Sequence, residues 1–397
     1  MDWTLITIAV LIGAALIFDF TNGFHDAANS VGTVVATRAL PAKWAPAFSA
    51  FFNFVALFVV GTAVASTVGK TVKAEYAGEA VIFAALFAAI AWNYITWYIG
   101  MPSSSSHAII GGLVGAGLAA GGMAAISWSS VEKAAIGIVA SPFVAFTIAF
   151  ILMYLIFGIQ KLFKMHDDHS GFKGVQLISA AALSFGHGAN DAQKTMGVIG
   201  ALLLGAGYTD FTDFAADGKT IVLPLWVELA AYSAIALGTL WGGWKIIETM
   251  GLRITTLHAN SGAAANIGAS TAIFGATAMG APISTTQAAA SSVVGAGVSS
   301  GKGANWKVVG EMVLAWVLTI PFAAAISFGM YWLTQLPTFG AWIAVGAVVI
   351  AFTIWVVKAM RSTVHADDII AEIPSEKELG EFDQDPTPHL KGTPPVA

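Results

Sequence analysis

Apolar stretches of about 20 residues follow one another along almost the whole chain, each long enough to cross a hydrocarbon layer as a helix. They predict helices near 3–36, 45–66, 79–99, 103–121 and 134–160. A second set follows near 174–206, 225–247, 256–279, 283–300 and 306–333, with a last helix near 339–358. Strands of a transmembrane barrel alternate apolar and polar positions in short segments, whereas these runs are continuous. The pattern therefore predicts an all-α polytopic membrane protein. Two polar stretches interrupt it. One runs from Lys161 to Lys173 and holds Lys164, His166, Asp167, Asp168 and His169; the other, Tyr208 to Thr220, is an acidic loop with Asp210, Asp213 and Asp217. From Ser362 to Ala397 the chain is polar, contains proline and lacks apolar periodicity, which predicts a disordered tail.

Composition agrees. The 397 residues are 57% hydrophobic and 10% charged, with a mean hydropathy of +0.76. Soluble domains carry about 25% charged residues, so a soluble globular protein is excluded. Alanine and the 42 glycines crowd the apolar runs, and small residues let helices approach closely in lipid. With no cysteine there is no disulfide framework or thiol chemistry. The formal net charge of −5 owes much to the tail and says little about partners. Met1-Asp2-Trp3 lacks the basic start of a cleavable signal, so the first apolar run reads as a retained membrane segment.

Charge asymmetry gives an orientation. With five crossings in each half and one more at the end, Arg38, Lys43, Lys161, Lys164, Lys173, Lys245, Arg253, Lys302, Lys307, Lys358 and Arg361 fall on one side. Only Lys70, Lys73, Lys133 and Lys219 fall on the other, eleven against four. This bias places the N-terminus outside and the tail in the cytoplasm. Hairpins that dip in and return change the number of crossings. The expected organisation is a first transmembrane repeat over 1–160, a cytoplasmic linker over 161–173 and a second repeat over 174–335. A final transmembrane helix over 336–361 and the tail over 362–397 complete it. An odd number of crossings per half makes the repeats inverted with respect to the membrane.

Two motifs establish the duplication. Phe20-Thr21-Asn22-Gly23-Phe24-His25-Asp26-Ala27-Ala28-Asn29 aligns with Phe185-Gly186-His187-Gly188-Ala189-Asn190-Asp191-Ala192-Gln193-Lys194, and Gly32 and Gly197 continue the register. Gly100-Met101-Pro102-Ser103-Ser104-Ser105-Ser106-His107-Ala108 aligns with Gly280-Ala281-Pro282-Ile283-Ser284-Thr285-Thr286-Gln287-Ala288. Two motifs in the same order in both halves predict an inverted-topology two-fold repeat, with broken helices or helical hairpins at the bilayer midplane.

The polar residues of these motifs are costly in a bilayer. A carboxylate near its middle costs roughly 2.5–3.5 kcal/mol on insertion scales, so Asp26 and Asp191 require a function. Asn22, Asp26 and Asn29 share one helix face, as do His187, Asp191 and Lys194. Gly23 beside Asn22 predicts unwinding that exposes carbonyls to a cation. Asp191 and Lys194 are placed to form an intramembrane ion pair, with Lys194 either a counter-ion or a direct contact to an anion. Pro102 and Pro282 each open a new helix, whose free N–H groups and dipole favour an anion. Ser104, Ser105 and Ser106, and Ser284, Thr285 and Thr286, add hydroxyl donors there, although capping is the commoner role of such residues. A cation or proton on Asp26 or Asp191 would cancel repulsion of an anion and link the two binding events. His25, His107 and His187 either carry protons or only hydrogen-bond. Asp19, just ahead of the first motif, is read as its support. Asn53, Asn93, Glu228, Asn260, Asn266 and Glu311 are further polar positions in or near membrane segments, with packing the commoner role for the asparagines. Trp and Phe serve as interface anchors and lipid-facing bulk.

No dinucleotide fingerprint, nucleotide-binding loop or thiolate metal cluster stands out, and Gly111-Gly112 lacks a basic partner. No resident metal or cofactor, no enzyme activity and no nucleic-acid partner are expected.

At these motifs the chain resembles the inorganic phosphate transporter family. Gly188-Ala189-Asn190-Asp191 is that family's repeated signature, and Asn22-Gly23-Phe24-His25-Asp26 is the variant of its bacterial members. With Gln193-Lys194, Pro102 to His107 and Pro282 to Thr286, the chain is most similar to bacterial low-affinity phosphate transporters, over residues 18 to about 335. The resemblance implies import of inorganic phosphate, or of a metal–phosphate complex, through the cell inner membrane. Asp26 and Asp191 would be the essential carboxylates. Asn22, Asn190, Lys194 and the two hydroxyl clusters would hold phosphate or its companion cation, and Asn29, His25 and His187 would join the aspartates in ion coupling. Sodium-coupled relatives carry Glu where Asn53 stands, which favours a proton here. The expected partners are phosphate, the coupling proton (or sodium) and the bilayer, with a homodimer left open.

Three other readings stand beside proton symport. They are a sodium-coupled phosphate or sulfate carrier, an anion channel, and a membrane enzyme acting on phosphate esters. The last lacks the expected metal cluster or activated nucleophile.

Overall fold

The computed structural model describes residues 3–208, 212–214, 220–361, 368 and 371. Most of the acidic loop, with Asp210 and Asp217, and the tail apart from 368 and 371 lie outside the described residues.

The first half opens with α1 (Trp3–Asp26) and α2 (Ala28–Ala36), joined at Ala27. Unwinding does not occur there. Ala27 keeps helical angles (φ −49°, ψ −34°), its N–H donates to Gly23 O at 3.0 Å, and Val31 N donates to Ala27 O at 3.0 Å. Gly23 has another purpose, because a Cβ on it would overlap the Ile235 carbonyl of the second half. The glycine permits close approach and leaves the helix intact. α3 (Ala45–Val55) and α4 (Ala63–Gly69) follow, bent by 90° through a 3₁₀ turn over Ala56–Phe58. α5 (Glu79–Tyr98) and α6 (Ser105–Gly121) form a hairpin, and α7 (Trp128–Phe163) closes the half with Pro142 inside it.

The second half repeats this order of shapes. α8 (Ser170–Gly205) is the long opening helix. A two-residue hairpin, β1 (Asp213–Phe214) with β2 (Ile221–Val222), leads to α9 (Leu225–Trp241). α10 (Trp244–Glu248) and a π-helical turn over Thr249–Arg253 bend away from α9 by 69°. α11 (Ala259–Ala278) and α12 (Thr285–Ser299) form the second hairpin, and α13 (Trp306–Thr334), with Pro321 inside it, closes the half. α14 (Thr338–Met360) is the final helix.

The expected single helices over 45–66 and 225–247 are thus bent pairs. The first breaks around the Val59-Val60-Gly61-Thr62 run and the second at Gly242-Gly243, where Gly242 has φ +74°. Positive φ suits only glycine without strain, so Gly242 supplies the corner. Six described helices are long and apolar enough to cross a membrane, or eight when each bent pair counts as one span. The protein is a multi-pass helical membrane protein.

The halves interleave. α6 lies along α13 and α12 along α7, while α9 lies along α1, and α3 and α4 lie along α8. Each contact joins a first-half helix to a second-half helix, and each has its counterpart. Gly32 and Gly197, in matching register, rest on Gly251 and Gly69 of the opposite half's bent pair. Loops gather at two ends. At one, Asn260 N donates to Asp167 O (3.1 Å), Asn305 N to Ile254 O (2.8 Å) and Thr255 Oγ1 to Gly303 O (2.7 Å). At the other, Lys73 N donates to Ala125 O (2.9 Å), Ser127 N to Thr71 O (3.0 Å) and Ile221 N to Ser66 Oγ (2.8 Å). The hairpin tips at 99–104 and 279–284 hold no lysine or arginine, and a hairpin returns to its starting side whether or not it crosses. The charge asymmetry is therefore the same for crossing and re-entrant hairpins.

Candidate functional site

α1 and α8 meet at the two aspartates, between the starts of α6 and α12. Those starts are built alike. Ser104 accepts from His107 N at 3.2 Å and Ser284 accepts from Gln287 N at 3.1 Å, so each is an N-cap. The caps fix the first turns, which present Ser105 and Ser106 from one hairpin and Thr285 and Thr286 from the other. Backbone N–H groups of a first helical turn have no intrahelical acceptor and draw negative charge.

The side chains converge on Asp26 and Asp191. Asn22 donates from Nδ2 to Asp191 Oδ2 at 3.3 Å. Ser105 Oγ lies 2.6 Å from Asn22 Oδ1 and 3.1 Å from Asp26 Oδ2, so its one proton serves either. Thr285 Oγ1 stands 3.3 Å from both Asp26 Oδ2 and Asp191 Oδ2, bridging the halves. Thr286 donates to Asp26 Oδ1 at 3.0 Å, and Asn29 Nδ2 reaches both threonine hydroxyls at 3.4 Å. Lys194 pairs with Asp191 Oδ1 at 2.7 Å and donates to the Ser106 hydroxyl, which donates to the Ile283 carbonyl at 2.5 Å. Pairing lowers the cost of both buried charges.

The histidines sit on either side. His25 Nδ1 is 2.8 Å from Asp26 Oδ1, and an ionised carboxylate only accepts, so this nitrogen carries the proton. Its Nε2 lies 3.1 Å from Thr96 Oγ1 and 3.4 Å from Ser103 Oγ. His187 Nδ1 lies 3.2 Å from Asn53 Oδ1. Its Nε2 has no hydrogen-bond partner among the described residues and stands 3.6 Å from Asp191 Oδ2 and 4.0 Å from Asp26 Oδ2. Asp26, His187 and Asp191 each offer one ligand atom, all within 4.8 Å of one another. Two carboxylates and an imidazole suit a divalent cation.

Asn190 lies away from this cluster. Its Nδ2 donates to Thr277 Oγ1 (2.9 Å) and the Ala281 carbonyl (3.2 Å), and its Oδ1 accepts from Ile283 N (3.3 Å), so it holds the tip of the second hairpin. The tip carbonyls are held too. Thr67 of α4 donates to Gly280 O at 2.7 Å, and Thr249, after α10, donates to Gly100 O at 2.9 Å. Gly280 and Gly100 share φ near +60° to +70° (+63° and +69°). Each tip is thus fastened by the bent pair of the other half. Thr67 and Thr249 carry no sequence signal for this task, since a lone threonine in a helix is ordinary. Asn53, one of the further polar positions, donates to Thr239 Oγ1 at 2.7 Å while facing His187.

No residue from Asn22, His25, Asp26, Asn29, Ser104–Ser106, His187, Asn190, Asp191, Lys194 or Ser284–Thr286 is more than 2% exposed. The cluster is sealed from both ends, so any occupant reaches it only when helices move. A cavity of about 320 Å³ lined by Gly69, Lys70, Lys73, Ser127 and Ile221 opens instead among the loops at one end. With neutral histidines, Asp26, Asp191 and Lys194 leave one net negative charge at the site.

Comparison with known proteins adds an independent line. Residues 22–327 match PHO4, described as a phosphate transporter family. The chain is 44% identical over 328 residues to a probable low-affinity inorganic phosphate transporter of Rhizobium meliloti, covering 82% of this chain and 96% of that one. It is 41% identical over 341 residues to a protein of the same description from Bacillus subtilis (85% and 99% covered). It is 25% identical over 484 aligned positions to the low-affinity inorganic phosphate transporter PitB of Escherichia coli (83% and 97% covered). Among solved structures it is similar to one described as the sodium-dependent phosphate transporter, with a TM-score of 0.73 at 26% identity, covering 83% of this chain and 99% of that one.

Proposed function

The chain belongs to the phosphate transporter family, and on that premise we propose that it imports inorganic phosphate through the cytoplasmic membrane by proton symport. The observation that carries the reading is the convergence of Asp26 and Asp191, one from each half, on the hydroxyl-lined starts of two hairpin helices. Ser105, Ser106, Thr285, Thr286 and the first-turn N–H groups bind phosphate oxygens, with Lys194 the one fixed positive charge. Asn22 and Asn29 orient these groups.

The charge balance dictates coupling. Phosphate meets a site that already holds one net negative charge. A cation or proton must therefore bind with it, and each ligand raises the affinity for the other by the same factor. Asp26, Asp191 and the adjoining His25 and His187 line the space in which a companion cation would sit. The Asp26, His187 and Asp191 set also accommodates a divalent metal travelling with phosphate.

Alternating access follows from the seal and the duplication. The tips bonded by Thr67 and Thr249 release in turn, exposing the cluster first to the outside and then to the cytoplasm. Inverted repeats, with the lysine-rich end in the cytoplasm, make the two openings equivalent movements of the two halves.

Sodium coupling is the second reading, favoured by the description of the solved relative. Against it stand Lys194, which already neutralises Asp191, and the uncharged Asn53 behind His187. Uptake of labelled phosphate into proteoliposomes under separately imposed proton and sodium gradients decides. Concentration of phosphate by a proton gradient alone is expected, and concentration by a sodium gradient alone would refute the assignment. Uptake without any gradient-dependent accumulation would indicate a channel.

A further inference from the structure

One buried carboxylate takes no part in this cluster. Asp19 lies on α1 three residues before Asn22 and seven before Asp26, on the same helix face. It is 0% exposed, and neither carboxylate oxygen has a hydrogen-bond partner among the described residues. Thr195 of α8, one turn beyond Asp191, faces it, and Tyr232 of α9 lies within its electrostatic reach. Both hydroxyls are buried and likewise without partners among the described residues. Nearly all buried polar side chains in proteins are hydrogen-bonded, so a fully buried carboxylate whose only near partner is the loosely placed Thr195 hydroxyl is a place where a proton would be held.

We propose that Asp19, with the hydroxyls of Thr195 and Tyr232, is the binding site of the coupling proton, separate from the phosphate cluster. The proposal rests on the proton-symport reading and assigns its proton to a residue. A lone carboxylate in an apolar interior is costly as an anion. One proton removes that charge and turns an oxygen into a donor for Thr195 or Tyr232. A sodium ion would need a shell of oxygens, and the described groups supply only one carboxylate and two hydroxyls.

The surroundings connect this proton to phosphate and to solvent. Asp191 and Lys194 of α8 act on Asp19 electrostatically, whereas α5 presents Asn93, bonded to Thr21, and no charged group that acts on Asp19 among those described. Phosphate drawn to Lys194 adds negative charge nearby and favours the proton on Asp19; the proton in turn lowers the repulsion that phosphate meets. On α9, the partly buried Glu228 lies one turn before Tyr232, toward the end where β2 leads into the helix. A proton from water binds the Glu228 carboxylate. When the helices move and bring the Tyr232 hydroxyl within hydrogen-bond reach of both carboxylates, it passes its proton to Asp19 and takes the one from Glu228, which returns to the anion. Release to water on the far side restores the Asp19 carboxylate.

The test uses the full chain in proteoliposomes, with Asp19→Asn as a fixed neutral mimic, Asp19→Glu as the conservative variant and Tyr232→Phe as a second probe. Exchange of labelled for unlabelled phosphate at equal pH needs no net proton movement. Accumulation under an imposed pH gradient, followed with a pH-sensitive dye, does. Asp19→Asn should keep exchange near wild type but lose accumulation and lumen acidification by about tenfold or more, with Asp19→Glu restoring part of both. Tyr232→Phe should slow proton-driven uptake and leave exchange intact. Wild-type accumulation by Asp19→Asn would overturn the proposal, as would parallel loss of exchange and accumulation in a variant with unchanged thermal unfolding. Should Asp19→Asn fail to fold, undiminished proton-driven uptake in Tyr232→Phe overturns it. If wild-type protein accumulates phosphate only on a sodium gradient, the symport reading fails instead. Weakened sodium dependence in Asp19→Asn would then assign the site to that ion and overturn the proton.

Discussion

Asn22 of α1 and Asp191 of α8 are joined by a hydrogen bond of 3.3 Å from Nδ2 to Oδ2, across the boundary between the two halves. The other end of the same amide, Oδ1, faces the Ser105 hydroxyl at 2.6 Å. One neutral side chain therefore ties α1, α6 and α8 together without adding charge to a site that already has an excess. Displacing any of the three helices breaks one of these two bonds.

Removing the charge of Asp191 leaves the Lys194 ammonium buried and unpaired. Asp191→Asn is expected to lower stability by about 3–5 kcal/mol and to abolish phosphate uptake. Adding Lys194→Met should recover most of the stability and none of the uptake. Thermal unfolding of the detergent-solubilised variants and uptake in proteoliposomes measure the two effects. Transport by the double variant would remove the pair from the site.

Thr285 is the hydroxyl shared by both aspartates. Thr285→Val keeps the volume and removes the donor, and a hydrogen bond to a charged group contributes about 1.5–3 kcal/mol, or roughly ten- to a hundredfold in affinity. Isothermal titration with phosphate, or the concentration dependence of uptake, should show at least the lower figure. Unaltered affinity would place phosphate elsewhere.

Gly23 and Gly238 mark a close crossing of α1 and α9, where an added Cβ would run into the Ile235 or the Phe20 carbonyl oxygen. Alanine at either position should destabilise by about 1–3 kcal/mol through overpacking. The check is the unfolding temperature. A neutral effect would show that the helices separate at little cost.

The linker fastens to the base of the second hairpin through Asp168, whose Oδ2 meets His258 Nδ1 at 2.8 Å and whose Oδ1 accepts from Ala259 N at 2.9 Å. The bond to Asp168 holds the His258 imidazole above its ordinary pKa, against the effect of burial. Burial pushes the Asp168 carboxyl up, but the bonds from His258 and the Ala259 N–H outweigh it and hold the group below its ordinary value. The histidine's contribution is complete below about pH 6.5 and is lost as pH rises through its elevated pKa. The carboxylate's contribution is complete above about pH 4 and is lost as pH falls through its depressed pKa. Hydrogen exchange at residues 258–262, corrected for intrinsic rates, should be slowest near pH 5–6 and quicken above it. Asp168→Asn should flatten the profile. A flat wild-type profile would show that the contact bears no charge.

Much of this was legible in the sequence, for a physical reason. Membrane helices must satisfy their own backbone, so apolar length alone locates them. Charges are so costly there that Asp26, Asp191 and Lys194 stand out unaided. Corners were harder to read, because Gly61 and Gly242-Gly243 resemble the many other small residues of helix interfaces. Gly23, expected to loosen the helix, instead admits a neighbour that only the folded chain brings there. Asn190 matches Asp191 in context yet turns to the Ala281 carbonyl and Ile283 N–H, a choice made by the arrival of the second hairpin. The partners Thr67, Thr96, Thr239 and Thr249 are visible only once distant helices meet.

The pairing of α6 with α13 and of α12 with α7 sets an order of events at the ribosome. By the time α6 has entered the membrane, the helix that will cover its glycine-rich face has not been translated. The first half must wait beside lipid, or beside an insertion chaperone, until α13 arrives. Neither half finished alone has its own partner surfaces, so a chain severed in the linker should recover activity only when both pieces are made together in the same membrane.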